Sequence, residues 1–99
     1  MLDERIRLAG EEGRLVLQWA SLLGHGVPPA LLESLLEMPV HALLAALERL
    51  ESQELMRVME GPAGMEYLFG HDLIRLRAQE TLSAPRRTRM RAHVAETLR

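Results

Sequence analysis

The feature that most restricts this chain is a change of hydrophobic period just past its midpoint. Up to about residue 54, apolar side chains recur every three or four positions, the spacing of one face of a helix. Over LMRVMEGPAGMEYLF, residues 55–69, that period is lost: Leu55, Arg57 and Met59 run with Val58 out of step. After a Gly-Pro turn Met65, Tyr67 and Phe69 alternate, the spacing of a hairpin. From His71 onward the helical spacing returns. Few architectures accept helices, one isolated hairpin and then more helices. A lone hairpin is marginal in water, so these strands must pack on the helices.

Proline and glycine divide the first half. GRLVLQWASLLG places Leu15, Trp19, Leu22 and Leu23 near one face, and Gly24 and Gly26 stand where a C-terminal cap belongs, which predicts a helix at about 11–24. Pro28 and Pro29 suit a new first turn, and Leu31, Leu32, Leu35 and Leu36 form its apolar face before Pro39 stops it. In VHALLAALERLES, the residues Val40, Leu43, Leu44, Leu47 and Leu50 form a third stripe, with Glu48, Glu51 and Ser52 toward water. The hairpin strands are expected at about 55–60 and 65–69, with Tyr67 and Phe69 packed beneath the wing and Trp19 in the core.

After it, Leu73, Ile74, Ala78 and Leu82 are expected inward, with Arg75 and Glu80 outward. Ser83 caps a last helix at about 85–98, with Pro85 in its first turn. That helix packs through Met90, Val94 and Leu98, and its outer surface carries Arg86, Arg87, Arg89 and Arg91. The expected fold is mostly α with a small β-hairpin: three helices, a two-stranded wing and two further helices, a winged-helix-like arrangement. Residues 1–10 read as a linker or the end of a preceding segment, and 11–99 as the domain with its C-terminal helical extension.

Composition narrows the chemistry. With 47% hydrophobic but 3% aromatic residues, the core must be aliphatic. There is no cysteine, which removes disulfides, thiolate nucleophiles and cysteine-ligated zinc. His25, His41, His71 and His93 are scattered over different elements and fit no metal spacing. No apolar run reaches the roughly 20 residues of a membrane span, and the charged N-terminus lacks a signal peptide's apolar stretch. These features predict a cytoplasmic chain with no metal, no membrane partner and no catalytic constellation.

Charge is unevenly spread. Residues 1–70 hold 5 arginines and 11 acids, a net of −6, whereas residues 71–99 hold 7 arginines and 3 acids, a net of +4. A molecule with opposite ends is suited to docking. The arginines opening the last helix oppose its dipole, a mild cost that favours an interaction role for Arg86, Arg87, Arg89 and Arg91. Arg75 joins this interaction set.

The stretches LVLQWASLLGHGVPPALLESLL, LLAALERLESQELMRV and YLFGHDLIR, followed by ETLSAPRR and VAETL, resemble a known pattern. It is the winged-helix segment after the nucleotide-binding core of bacterial STAND-type signalling ATPases, the AAA-like regulators of MalT-like, AfsR-like and adenylate-cyclase-linked type. The likeness runs over about residues 11–98 and is carried by Phe69, His71, Leu73, Ile74, Arg75, Arg86, Arg87, Val94, Ala95 and Leu98. Gln79 departs from it, standing where an aromatic is common, as do Leu76, Arg77 and Arg91. The resemblance implies a module that packs against neighbouring domains of a parent polypeptide and relays the state of an upstream core, where ATP or ADP would bind. This chain itself has no phosphate-binding loop, since Gly61-Pro62-Ala63-Gly64 lacks the lysine and hydroxyl that must follow, so no cofactor is assigned to it and it is read as non-enzymatic.

His71 stays open between two roles, a nucleotide-proximal or interdomain contact implied by the resemblance and a residue that orients the helix beginning there. Two rival functions are also weighed. A DNA-binding winged helix would read through helix three, whose exposed positions are His41, Ala45, Glu48, Glu51 and Ser52 against a single Arg49, a surface that phosphates repel. DNA is therefore disfavoured for this module alone. A self-associating adaptor, a homo-oligomer, is the other.

Overall fold

In the structure, a computed structural model, residues 2–23, 26–62 and 64–98 are described, with side chains from residue 4 onward. The order is α1 (Leu2–Leu8), α2 (Gly10–Ser21), α3 (Pro29–Leu36), α4 (Val40–Ser52), β1 (Met56–Gly61), β2 (Gly64–Phe69), α5 (Asp72–Glu80) and α6 (Ala84–Thr97). The architecture is the expected mostly helical one with a small antiparallel hairpin, in a winged-helix-like arrangement.

The prolines act as the sequence predicts. Pro28 is extended at the N-cap of α3 and Pro29 occupies its first turn, where a missing N–H costs nothing. Glu37 ends α3 in the left-handed region at φ 51°, and Pro39 caps α4. The two helices meet at 120° across the residues between Leu36 and Val40, a helix-turn-helix geometry.

The hairpin follows, with Val58 opposite Tyr67 and Arg57 opposite Leu68. Its core-facing side carries Met56, Val58, Tyr67 and Phe69. A third rung comes from the α2–α3 connection: Val27 and Tyr67 exchange backbone N–H···O bonds, both 2.8 Å. Val27 thereby staples the wing to the helical layer. Gly70 lets the chain leave β2 close against the α4–β1 turn, since a Cβ there would lie 2.5 Å from the Glu54 carbonyl oxygen.

The core is aliphatic, as composition requires. Leu17, Leu32, Leu43, Leu47, Leu50, Leu55 and Met56 are fully buried between α2, α3, α4 and the wing. Several expected faces are shifted. On α2 the inward residues are Gly13, Val16, Leu17 and Ala20, while Leu15, Trp19, Leu22 and Leu23 lie half-buried at the edges. Trp19 packs edge-on to His93 of α6, centroids 5.6 Å apart, so it seals a helix pair rather than filling the centre. On α4 small Ala46 takes the inward place and Val40 and Leu44 are exposed. Leu73 and Leu98 are also exposed, at 50% and 62%: Ile74 takes the inward place on α5, and Leu98 lies past the last turn of α6 as its C-cap. The cap proposed at Gly24 lies outside the described residues; α2 closes by Ser21, with Leu22 as its C-cap.

Residues 2–8, read as linker or preceding segment, form α1, and Ile6 and Ala9 bury into the common core. Two arginines fix it. Arg5 donates to the Gln53 carbonyl at the end of α4, at 2.5 Å, and Arg49 of α4 donates to the Ala9 carbonyl at 3.2 Å. The elbow between α1 and α2 is Gly10 at φ +83°, a conformation an L side chain rarely adopts. Among the described residues no single helix is long and apolar enough to cross a membrane.

Candidate interaction surface

The exposed face of α4 would enter a DNA groove if this module read sequence. It carries His41, Ala45, Glu48, Glu51 and Ser52, together with the apolar Val40 and Leu44, 50% and 44% exposed. The helix's one arginine, Arg49, is committed to the Ala9 carbonyl. The carboxylates are felt inside the fold: burial first, then Glu51 and Glu48, push the Tyr67 hydroxyl above its ordinary pKa.

The candidate arginines take different positions. Arg75 pairs with Asp72 on the same helix at 3.2 Å, Nε to Oδ1. Arg87 turns inward, donating Nη2–H to the Leu82 carbonyl at 3.3 Å, and its Nε is buried without a hydrogen-bond partner. It braces the α5–α6 corner. Arg86, Arg89 and Arg91 remain exposed on α6. Ser83 accepts from the Arg86 N–H at 3.3 Å, the expected N-cap.

His71 is the N-cap of α5. Its Nδ1 accepts from the Leu73 N–H at 3.2 Å, so the ring orients the helix as an acceptor rather than by donating to a carbonyl. Its ring lines a shallow cleft with Arg5, Leu73 and Ile74, apart from the α6 arginines.

Two further clefts meet where α1, α2 and the α5–α6 junction converge. One, about 330 Å³, is lined by Glu11, Arg14, Leu15, Gln18, Thr81 and Arg86. The other, about 250 Å³, is lined by Ile6, Arg7, Arg14 and Thr81. A polar seam forms their floor. Gln18, only 6% exposed, donates to Thr81 Oγ1 at 2.9 Å, and Thr81 Oγ1 donates to the Ala78 carbonyl at 2.6 Å. Beside them Gln79 donates to the Ser21 carbonyl at 2.8 Å, satisfying one of the acceptors that the end of α2 leaves open. An aromatic at this position would forgo that bond.

Sequence reasoning missed Arg7, Arg14, Gln18 and Thr81. The net of −6 over residues 1–70 concealed that three of its five arginines, Arg5, Arg7 and Arg14, fall in the first 14 residues. A charge count over that shorter window would still not find them, because Asp3, Glu4, Glu11 and Glu12 outnumber them there; only the fold separates the two signs. Gln18, a polar residue between the inward positions Leu17 and Ala20, was the one visible signal. Among the described residues no three histidine, aspartate or glutamate side chains gather as a metal site.

Comparison with known proteins gives no match, neither to a family model, nor to a curated protein, nor to a solved structure.

Proposed function

We propose that this chain is a non-catalytic winged-helix-like module that packs against neighbouring domains of a parent polypeptide and relays their state. The single observation that carries this reading is the chemistry of α4. A helix-turn-helix frame offers its second helix to a partner, and here that helix offers carboxylates beside exposed Val40 and Leu44. DNA affinity depends on neutralising phosphates, which this face repels. Exposed Val40 and Leu44 with charged side chains around them match a protein contact, apolar at its centre and polar at its rim. That the upstream partner is an ATPase core binding ATP or ADP rests on the sequence resemblance alone, as does assignment to a bacterial transcriptional regulator.

DNA binding is the second reading, favoured by the 120° helix-turn-helix and the adjoining wing. Titrating duplex DNA into the chain at about 50 mM and 200 mM salt separates the two. The relay module shows no binding focused on α4 at either salt. Affinity that maps to α4 and the wing and falls steeply with salt overturns it. The coding sequence on both sides tests the ATPase part: a phosphate-binding loop upstream supports it, and a natural product confined to these residues sinks it.

A further inference from the structure

Among the described residues, the side chains of Arg7, Arg14 and Arg86 make no ion pair and no hydrogen bond. They come from three helices, α1, α2 and α6, and line two clefts that share Arg14 and Thr81. Against these three cations the rim holds one carboxylate, Glu11. Three cations set against a single carboxylate raise the local potential, which an anionic partner would lower.

The shape of the site narrows the anion. The guanidiniums are spread along two abutting clefts rather than focused on one point. The donors that usually complete a compact phosphate site are spent, since the Thr81 hydroxyl proton is given to Ala78 and the Arg86 N–H to Ser83. Each cleft also has an aliphatic wall, Leu15 in one and Ile6 in the other. A free phosphate would leave both walls uncovered.

We propose that the two clefts form one docking groove for an extended acidic segment of a partner protein. Its carboxylates meet Arg7, Arg14 and Arg86, and an aliphatic side chain between them covers Leu15 or Ile6. The Gln18–Thr81 seam holds the floor in place before the partner arrives, which limits the ordering cost of binding. This assignment rests on the relay reading and names the contact by which a neighbour would dock.

The test is an amide-resolved NMR titration of the whole chain with three probes: a glutamate-rich peptide carrying one leucine, sodium tripolyphosphate and duplex DNA. The peptide is expected to bind, shifting the amides of Leu15, Gln18 and Thr81, with affinity that weakens as salt rises. The double variant Arg14→Gln, Arg86→Gln, changed only at exposed side chains, is expected to lose about fivefold or more in peptide affinity. Arg14→Lys with Arg86→Lys is expected to keep most of it, and Arg57→Gln in the wing all of it. Failure of the peptide to bind overturns the groove, as does a loss in Arg57→Gln equal to that of the double variant. Tripolyphosphate or duplex DNA bound more tightly than the peptide at these amides also overturns it. If the peptide fails and DNA is silent as well, the groove is lost and the relay reading stands. Duplex binding through α4 would overturn the relay reading itself.

Discussion

Helix α4 and the corner formed by α1, α2 and α6 divide the charge of the molecule between them. The first exposes Glu48 and Glu51 and ties its only arginine to the α1–α2 elbow. The second gathers Arg7, Arg14 and Arg86 around a hydrogen-bonded threonine. A DNA-reading module of this shape needs its cations on the helix that follows the turn. Here that helix has carboxylates, and the cations lie where helices outside the helix-turn-helix converge. Fold and charge thus point to different surfaces, and charge says which surface suits which partner.

The comparison breaks first if the two regions are not one cooperative unit. Leu50 is fully buried and packs against Gly13, linking α4 to α2. Leu50→Ala is expected to cost about 2–5 kcal/mol. Trp19 fluorescence reports the α2–α6 side and Tyr67 the wing; in denaturant melts both should move to the same lower midpoint. Separate midpoints would mean that the two ends fold independently.

A smaller change sharpens the basic corner. Gln79→Ala removes the bond to the Ser21 carbonyl and is expected to cost about 1 kcal/mol by equilibrium unfolding. The NMR shifts should centre on Ser21 and Thr81 and leave the wing amides in place. On the acidic side the expected sign is opposite. Glu37 holds a left-handed conformation that glycine adopts freely, so Glu37→Gly should raise stability by about 0.5–1 kcal/mol in the same assay.

The smallest effect is a titration. Tyr67 is the chain's only tyrosine, so tyrosinate absorbance reads it alone. Its folded pKa lies above 10.0, chiefly through burial and then through Glu51 and Glu48. Since folding favours the neutral phenol, its contribution is fully present below the unfolded pKa. It is lost as pH rises through the higher folded value. Glu48→Gln with Glu51→Gln should lower the midpoint yet leave it above the ordinary value, because burial is the larger cause. A midpoint that does not move would show that the α4 carboxylates do not reach the wing.

Much of the fold was legible because its punctuation is chemical. Pro28, Pro29 and Pro39 set helix starts, Ser83 set another, and the change of period located the hairpin to within a residue or two. The facing of helices was less legible. Counting large apolar residues pointed to Leu15 and Trp19, whereas the close approach of α2 to its neighbours selects Gly13, Val16 and Ala20, which such a count ignores. Helix α1 was obscured because it depends on Arg5 reaching Gln53 and Arg49 reaching Ala9, bonds that span 48 and 40 residues. The same distance hid the basic corner. Arg14 and Arg86 are far apart in the chain and meet only after α6 has packed. Of the six candidate site residues, Arg86 lines that corner, Arg87 and His71 brace their own helices, and Arg75 pairs locally.

The seam of Gln18, Thr81, Gln79 and the Ser21 carbonyl has a further consequence. Helices α5 and α6 bury two residues each within their spans, Ile74 with Ala78 and Met90 with Val94, whereas α4 alone buries four. Much of what fixes their position is therefore directional and polar, and water can replace it bond for bond. The seam works as an alignment key: its bonds select one orientation of α5 and α6, while Ile74 and Ala78 tie the pair into the same core as the α4 leucines.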